Sequence, residues 1–304
     1  MRRLVPLALV ALALGPAATG AAAYANPAWS PDGTKIAWTT DTEIWTANAD
    51  GTGAAALATG FGNGLFQLVW PQLDALLFDA NFQVFQLSAS GGYHIAMKGA
   101  GFTFSADARG TRVASSCERC YGPVVVTTVA TGKRVRFGGK GVAGGGATLS
   151  PDGSRIAFDR LTQDPKTKQW TGRGLWVART NGTGLRPLDR AATCATWSPA
   201  GNLIAYFTAE KSSLALRVIA PDGTHRRLLL MRGPTCAVPA GVVWSPDGTR
   251  LAIVNARTGR LSLLDVASGR STPVPAFASV TGVAWSPDGT RLLVAARPAA
   301  TACS

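Results

Sequence analysis

Histidine is almost missing from this chain: there are two in 304 residues, His94 and His225. That leaves little material for His-rich metal sites or imidazole general-base chemistry. No G-x-S-x-G segment occurs, so the nucleophile elbow of a hydrolase is absent, and no G-x-x-x-x-G-K-[ST] phosphate loop occurs either. The glycine-rich stretch from Gly138 to Gly146 has no helix pattern after it and reads as a connection between units, not a phosphate cradle. Charged residues make up only 15%, but 46% of the chain is hydrophobic, which excludes disorder and provides a core. Thirty-five glycines and 18 prolines demand many turns, and their lack of a three-residue period excludes collagen.

The N-terminus reads as an export signal. Arg2 and Arg3 precede an apolar run from Leu4 to Leu14, and small residues follow with Ala-x-Ala sites ending at Ala23 and Ala25. The run falls short of the roughly 20 residues that cross a bilayer, and no later segment approaches that length. Residues 1–25 are therefore expected to be removed, leaving 26–304 as a single domain in the cell envelope or outside the cell. Charge is unevenly spread in that domain. Two basic residues, Lys35 and Lys98, face seven acidic ones before Arg109, whereas 26 basic residues face 10 acidic ones from Arg109 onward. Such lopsidedness steers anionic partners, although arginine on a solvated surface would account for it as well.

A repeat runs through the rest. WSPDGTKIAW begins at Trp29, LSPDGSRIAF at Leu149, WSPAGNLIAY at Trp197, WSPDGTRLAI at Trp244 and WSPDGTRLLV at Trp285. Two weaker copies are anchored at Trp70 and at Phe104, the latter with two extra residues in its turn. In each copy an apolar strand ends in the anchor, Ser-Pro-Asp-Gly makes a tight turn, and Arg/Lys-Ile-Ala-aromatic is the next strand. A third strand ending in a second turn (NADGTG, TNGTG, APDGT, ASGR) and a short fourth strand complete each unit. Four short strands in about 40 residues is the period of a propeller blade. The expected fold is all-β: a β-propeller of four-stranded antiparallel blades, seven with the last incomplete, or alternatively six with a packed C-terminal hairpin. A strand around Tyr24 to Pro27 would complete the seventh. The tryptophans are expected as wedges between blades.

The repeated motif closely resembles the WD40-like β-propeller repeat of the TolB type, also found in the propellers of prolyl-oligopeptidase-type enzymes. Residues 26–296 carry the likeness. The domain that precedes the propeller in TolB and the hydrolase domain of the oligopeptidases have no counterpart in the pattern. The resemblance implies protein partners.

Little in the chain points to bond-breaking chemistry. His94 and His225 fall in fourth strands of different blades, away from any Ser-His-Asp arrangement, and Asp32, Asp152, Asp247 and Asp288 sit one per blade as turn formers, too far apart to share a metal. No cofactor or metal is expected. Cys117 and Cys120 flank a hairpin turn and are candidates for a structural disulfide; Cys194 and Cys236 could staple two adjacent blades, leaving Cys303 unpaired. The loop Asp159 to Gly174, the longest at a second-to-third strand junction, gathers Arg160, Lys166, Lys168, Trp170 and Arg173, near connections carrying Lys140 and Arg232. This group is the expected binding rim, with Trp170 as a stacking or burial anchor. The leading reading is an exported, non-catalytic interaction scaffold for a protein partner. The alternatives are a propeller lyase or lactonase, or a binder of anionic cell-wall polysaccharide; nucleic acid is disfavoured by export.

Overall fold

Each Ser-Pro-Asp-Gly copy reverses the chain with one device. The glycine amide donates to the serine carbonyl (Gly33 to Ser30, 2.9 Å), and the glycine takes φ near +70°, where a Cβ is penalised. The serine hydroxyl then bridges the turn. Ser30, Ser150, Ser245 and Ser286 each donate to the motif aspartate at 2.5–2.6 Å and accept from the amide that opens the next strand at 2.8–2.9 Å. In the Ser-Pro-Ala-Gly-Asn copy, Asn202 replaces the aspartate as acceptor for Ser198, at 2.9 Å.

The structure, a computed structural model, describes residues 8–11, 25–61, 65, 67–81, 83–97, 103–116, 121–210, 213–233, 241–255, 257–275, 277 and 279–296. The first strand, β1 (Ala8–Ala11), stands apart from the repeats. Blade one is β2 (Ala25–Trp29), β3 (Lys35–Thr39), β4 (Ile44–Asn48) and β5 (Ala55–Ala58). Blade two is β6 (Leu68–Gln72), β7 (Ala75–Ala80), β8 (Gln83–Ser88) and β9 (Tyr93–Met97). Blade three is β10 (Thr103–Ala106), β11 (Arg112–Ser116), β12 (Val124–Thr128) and β13 (Arg134–Phe137). Blade four is β14 (Val142–Leu149), β15 (Arg155–Gln163), β16 (Trp170–Arg179) and β17 (Arg186–Asp189). Blade five is β18 (Ala192–Trp197), β19 (Ile204–Glu210), β20 (Ser213–Ile219) and β21 (Arg227–Gly233). Blade six is β22 (Val242–Trp244), β23 (Arg250–Val254), β24 (Leu261–Asp265) and β25 (Ser271–Val274). The hairpin β26 (Val280–Trp285) and β27 (Arg291–Ala296) follows.

Six sheets thus have four strands in sequence order, so the six-bladed alternative with a packed C-terminal hairpin replaces the seven-bladed expectation. The segment expected to complete a seventh blade is occupied: Ala25–Trp29 is the inner strand of blade one. The hairpin is joined instead by β1, which runs parallel to β27. Blade three also departs from the sequence reading. Asp107 N bonds Arg112 O and Gly110 N bonds Asp107 O, as Ser30, Lys35 and Gly33 do in blade one, so Ala106, not Phe104, takes the anchor position and the turn has no extra residues. Asp107 merges the serine and aspartate roles, accepting from the Arg112 amide and the Thr111 hydroxyl. His225 lies in the turn before β21, not in a fourth strand, with φ 55°.

The core lies between sheets. One cluster joins Ile44 and Ala37 of blade one to Trp70, Leu76 and Phe78 of blade two; others join blades five and six, and the hairpin to blade one through Leu293, Trp29, Ile36 and Trp38. The anchor tryptophans are buried there and also bolt the sheets together. Trp197, Trp244 and Trp285 donate their indole N–H to the carbonyls of Thr148, Thr196 and Val243, each the residue before the preceding unit's anchor, at 3.1–3.3 Å. Trp29 donates in the same way to Ala284 at 3.1 Å and closes the ring. Guanidiniums bolt the other direction: Arg112 to Gly153 O, Arg250 to Gly289 O and Arg291 to Gly33 O, at 2.8–3.2 Å, with Arg250 and Arg291 also lying over the rings of Trp285 and Trp29.

Two outcomes follow. Trp29→Phe keeps most of the wedge and loses the closing hydrogen bond, costing about 0.5–1.5 kcal/mol, whereas Trp29→Ala costs about 3–5 kcal/mol. Urea unfolding of both variants checks this, and a Trp29→Ala cost below about 1 kcal/mol would mean the ring is not closed there. The second concerns acid. The Ser286 hydroxyl and then the Thr290 amide hold the Asp288 carboxyl down at about 2, from 3.8. Its stabilisation is fully present above the unfolded value and is lost as pH falls from there towards 2. Asp288→Asn should flatten the fall in the urea midpoint over that window, and an unchanged slope would refute the assignment.

Candidate functional site

Antiparallel blades put the Ser-Pro-Asp-Gly turns at one end of the ring. The second-to-third strand turns and the links between blades lie at the other, here called the rim. In blade four the rim turn is raised on a stalk. The segment expected as a loop from Asp159 to Gly174 is largely sheet: β15 and β16 pair out to Gln163 and Trp170, leaving only 164–169 as a turn. Asp164 builds that turn by accepting from the amides of Lys166 and Thr167, both at 2.8 Å, and its own amide donates to Gln169 O. Those amides, Thr167 first, hold the Asp164 carboxyl below its ordinary value, so it remains a turn-forming anion.

The stalk carries Lys166, Lys168, Trp170 and Arg173. Trp170 lies flat against Tyr121 of blade three, ring centroids 4.9 Å apart and planes 7° from parallel. Tyr121 is 47% exposed, so the pair is an open aromatic platform. Lys166 and Lys168 are exposed beside it, with Lys168 Nζ donating only to Pro165 O. Arg173 donates to the Thr162 hydroxyl. The turn carrying Lys140 is tied to the stalk by the Gln163 amide on Gly141 O at 2.9 Å. Arg160 covers the Trp176 ring at 4.5 Å. None of these cations meets a carboxylate among the described residues. Arg232 belongs to β21, and its side chain lies outside the described residues.

Below the stalk a hollow of about 340 Å³ opens between blades four and five, lined by Asp159, Arg160, Gly174, Arg190 and Thr193 among others. Asp159 Oδ2 accepts from the Thr193 hydroxyl at 2.6 Å and from the Cys194 amide at 3.2 Å, bolting the two blades at the rim. Asp189, nearby, accepts from the Ala191 amide and pairs with Arg226 at 3.3 Å. Burial first, then the charge of Asp189, pushes the Tyr206 phenol up to about 12, which keeps it protonated. Among the described residues no group of three or more His, Cys, Asp and Glu could hold a metal ion.

Tyr121, Arg190 and the Asp159–Thr193 bolt were not legible as site residues in the sequence. Tyr121 follows Cys120 directly, and only a fold that sets blade three against the stalk makes it a partner of Trp170. Cys194 lies in β18, where its amide donates to Asp159 Oδ2. Cys117, Cys120 and Cys236 lie outside the described residues.

No family model matches the chain. A TolB homolog from Chlorobium luteolum is 29% identical over 129 residues, which cover 40% of this chain and only 27% of that relative. The structure is similar to TolB from Acinetobacter baumannii, with TM-score 0.55 and 13% identity over 90% of this chain and 66% of that one. The chain is a β-propeller that is similar to TolB in fold and, over part of its length, in sequence. The same fold recurs in oligogalacturonate lyase from Vibrio parahaemolyticus, with TM-score 0.66 and 14% identity over 88% of this chain and 85% of that one. It recurs also in hydrazine synthase from Kuenenia stuttgartiensis, with TM-score 0.67 and 15% identity over 93% and 96%. At such identities these structures share the fold with this chain, and no activity comes with it. No helix among the described residues is long and apolar enough to cross a membrane.

Gly174 fixes how the stalk leaves the ring. Its φ is +77°, and a Cβ there would overlap the Asp189 carbonyl oxygen and the Arg190 Cα. Gly174→Ala should cost about 1–3 kcal/mol, while Gly172→Ala, with nothing within 4 Å of its Cβ, should stay within about 0.5 kcal/mol of the parent. Equal midpoints in thermal unfolding would contradict this close approach.

Proposed function

We propose that the protein is an exported, non-catalytic propeller that holds a partner protein against the rim of blades three to five. The observation that carries this reading is the Tyr121–Trp170 platform on a stalk that carries Lys166, Lys168 and Arg173 and is tied to the Lys140 turn, none of these cations meeting a carboxylate among the described residues. Aromatic anchors beside uncompensated cations suit a partner with an acidic segment: the rings supply buried area and the charges supply steering. The export signal, residues 1–25, and the TolB likeness support a place in the cell envelope or outside the cell. A staple between Cys194 and Cys236 would hold blades five and six rigid behind the rim, and that pairing is part of the proposal.

Catalysis is disfavoured by the character of the hollow. Its one carboxylate, Asp159, accepts from the Thr193 hydroxyl and the Cys194 amide, and the nearby phenol of Tyr206 is held protonated. A second reading is favoured by the same platform: a stacked aromatic pair beside cations also suits an acidic polysaccharide, and one protein of this fold is an oligogalacturonate lyase.

The test compares the exported protein with a Lys166→Ala, Lys168→Ala, Trp170→Ala variant, both immobilised and exposed to envelope extract and to polygalacturonate. A polypeptide whose retention falls at least about tenfold in the variant supports the proposal, and retention should weaken with salt because exposed charges are screened within about 10 Å at 0.1 M. Retention of polygalacturonate alone would select the second reading. Unchanged retention of every ligand would remove the rim from the function, and turnover of the polymer would overturn the non-catalytic assignment.

A further inference from the structure

The sheets of the ring are unequal. Six have four strands, and the one at the closure has two from the propeller itself, β26 and β27, plus β1 from the leader. The hairpin is nonetheless held as firmly as a full blade. Trp285 is bolted to blade six, Trp29 to Ala284, and Arg291 to Gly33, and Leu292, Leu293, Val294 and Ala295 are at most 1% exposed. What it lacks is an outer neighbour of its own. Ser286 N bonds Arg291 O, and Ala284 stands opposite Leu293, so the alternation of an antiparallel pair directs the backbone groups of Leu292 and Val294 away from β26 towards the outer edge. That edge is where β1 sits, Ala8 opposite Arg291 through Ala11 opposite Val294.

We propose that this edge is a strand-acceptor site: in the exported protein, an extended segment of a partner protein, small and apolar in its side chains, pairs with β27 as the third strand. The occupant seen there identifies the class of ligand, since Ala-Leu-Val-Ala is short, extended, uncharged and free of proline. Its source identifies the vacancy. Ala8–Ala11 lies in the apolar run of the export signal, and cleavage at Ala23 or Ala25 takes it away. The edge then presents unpaired amides and carbonyls on a strand whose side chains are already packed. Because the hairpin is fixed from both sides, an incoming strand finds the edge preorganised and does not have to order it. The site lies at the closure between blades six and one, separate from the rim of blades three to five, and would act whatever the rim binds.

The experiment uses protein harvested after export, with its mass confirming loss of the leader. The probe is a soluble fluorescent peptide carrying the Ala8–Ala11 sequence between glutamate ends, followed by anisotropy, and the control is the same peptide N-methylated at alternate backbone amides. Saturable binding that weakens at least about tenfold on N-methylation is expected, from loss of about two backbone hydrogen bonds. Binding should also survive a rise in salt, unlike binding at the rim. The proposal is overturned if the leader-free protein does not bind the peptide, or binds both peptides equally. It is overturned also if the harvested protein keeps its leader, or if it is a dimer that takes up peptide only on dissociation, which would make the occupant a second copy of this chain.

Discussion

The closed ring depends on a pair of contacts repeated at several of its seams. An anchor tryptophan reaches back to the preceding inner strand, and a motif arginine reaches forward to the next glycine carbonyl. Each unit alone is a small twisted sheet with two apolar faces, too little to hold together in water. Stacking the sheets buries both faces, but an open stack would leave its first and last faces wet. The bonds from Trp29 to Ala284 and from Arg291 to Gly33 bring those ends together across more than 250 residues of sequence. They use the same atoms as the local bolts, so closure needs no special device.

The ring also decides where charge goes. Most motif and turn carboxylates are engaged within their own turns: Asp32, Asp50, Asp152, Asp222, Asp265 and Asp288 all accept from a serine or threonine hydroxyl and are held below their ordinary values. Several arginines spend their charge on neighbouring carbonyls, Arg112, Arg250 and Arg291 on motif turns and Arg186 and Arg227 on the turns of the next blade's outer strands. Anions satisfied locally have no need of cations across the surface. Lys166 and Lys168 of blade four are left facing water, and the stalk that carries them is a lengthened hairpin on the ring.

The architecture was legible in the sequence because its cause is local and recurs. Ser-Pro-Asp-Gly turns on contacts within its own few residues, so a strand such as Val280–Trp285 falls where the pattern puts it. In blade three the aromatic Phe104 resembles an anchor, but the turn's hydrogen bonds fix the register and make Ala106 the anchor. The polar composition of the stalk resembles a loop and hides the pairing of Leu161 with Gly172 and of Gln163 with Trp170. Of the rim, the cations and Trp170 were readable as a cluster in sequence. Tyr121 and Arg190 were not, since they come from a blade-three turn and from the link between blades four and five, positions that the repeat does not mark.

The two surfaces differ in the force that would recognise a ligand. At the rim the exposed ammonium and guanidinium groups act through water, over distances that salt shortens, and the aromatic pair adds area without direction. At the closure the recognising groups are the amides and carbonyls of Leu292 and Val294, which act only at bonding distance and only on an extended backbone. A ligand with acidic side chains and an uncharged extended segment would satisfy both at once. The gain from holding both would depend on whether the chain between those two parts can span from blade four to the seam beside blade one. Because the frame between the surfaces is closed, the distance that such a ligand would have to span is set by the ring.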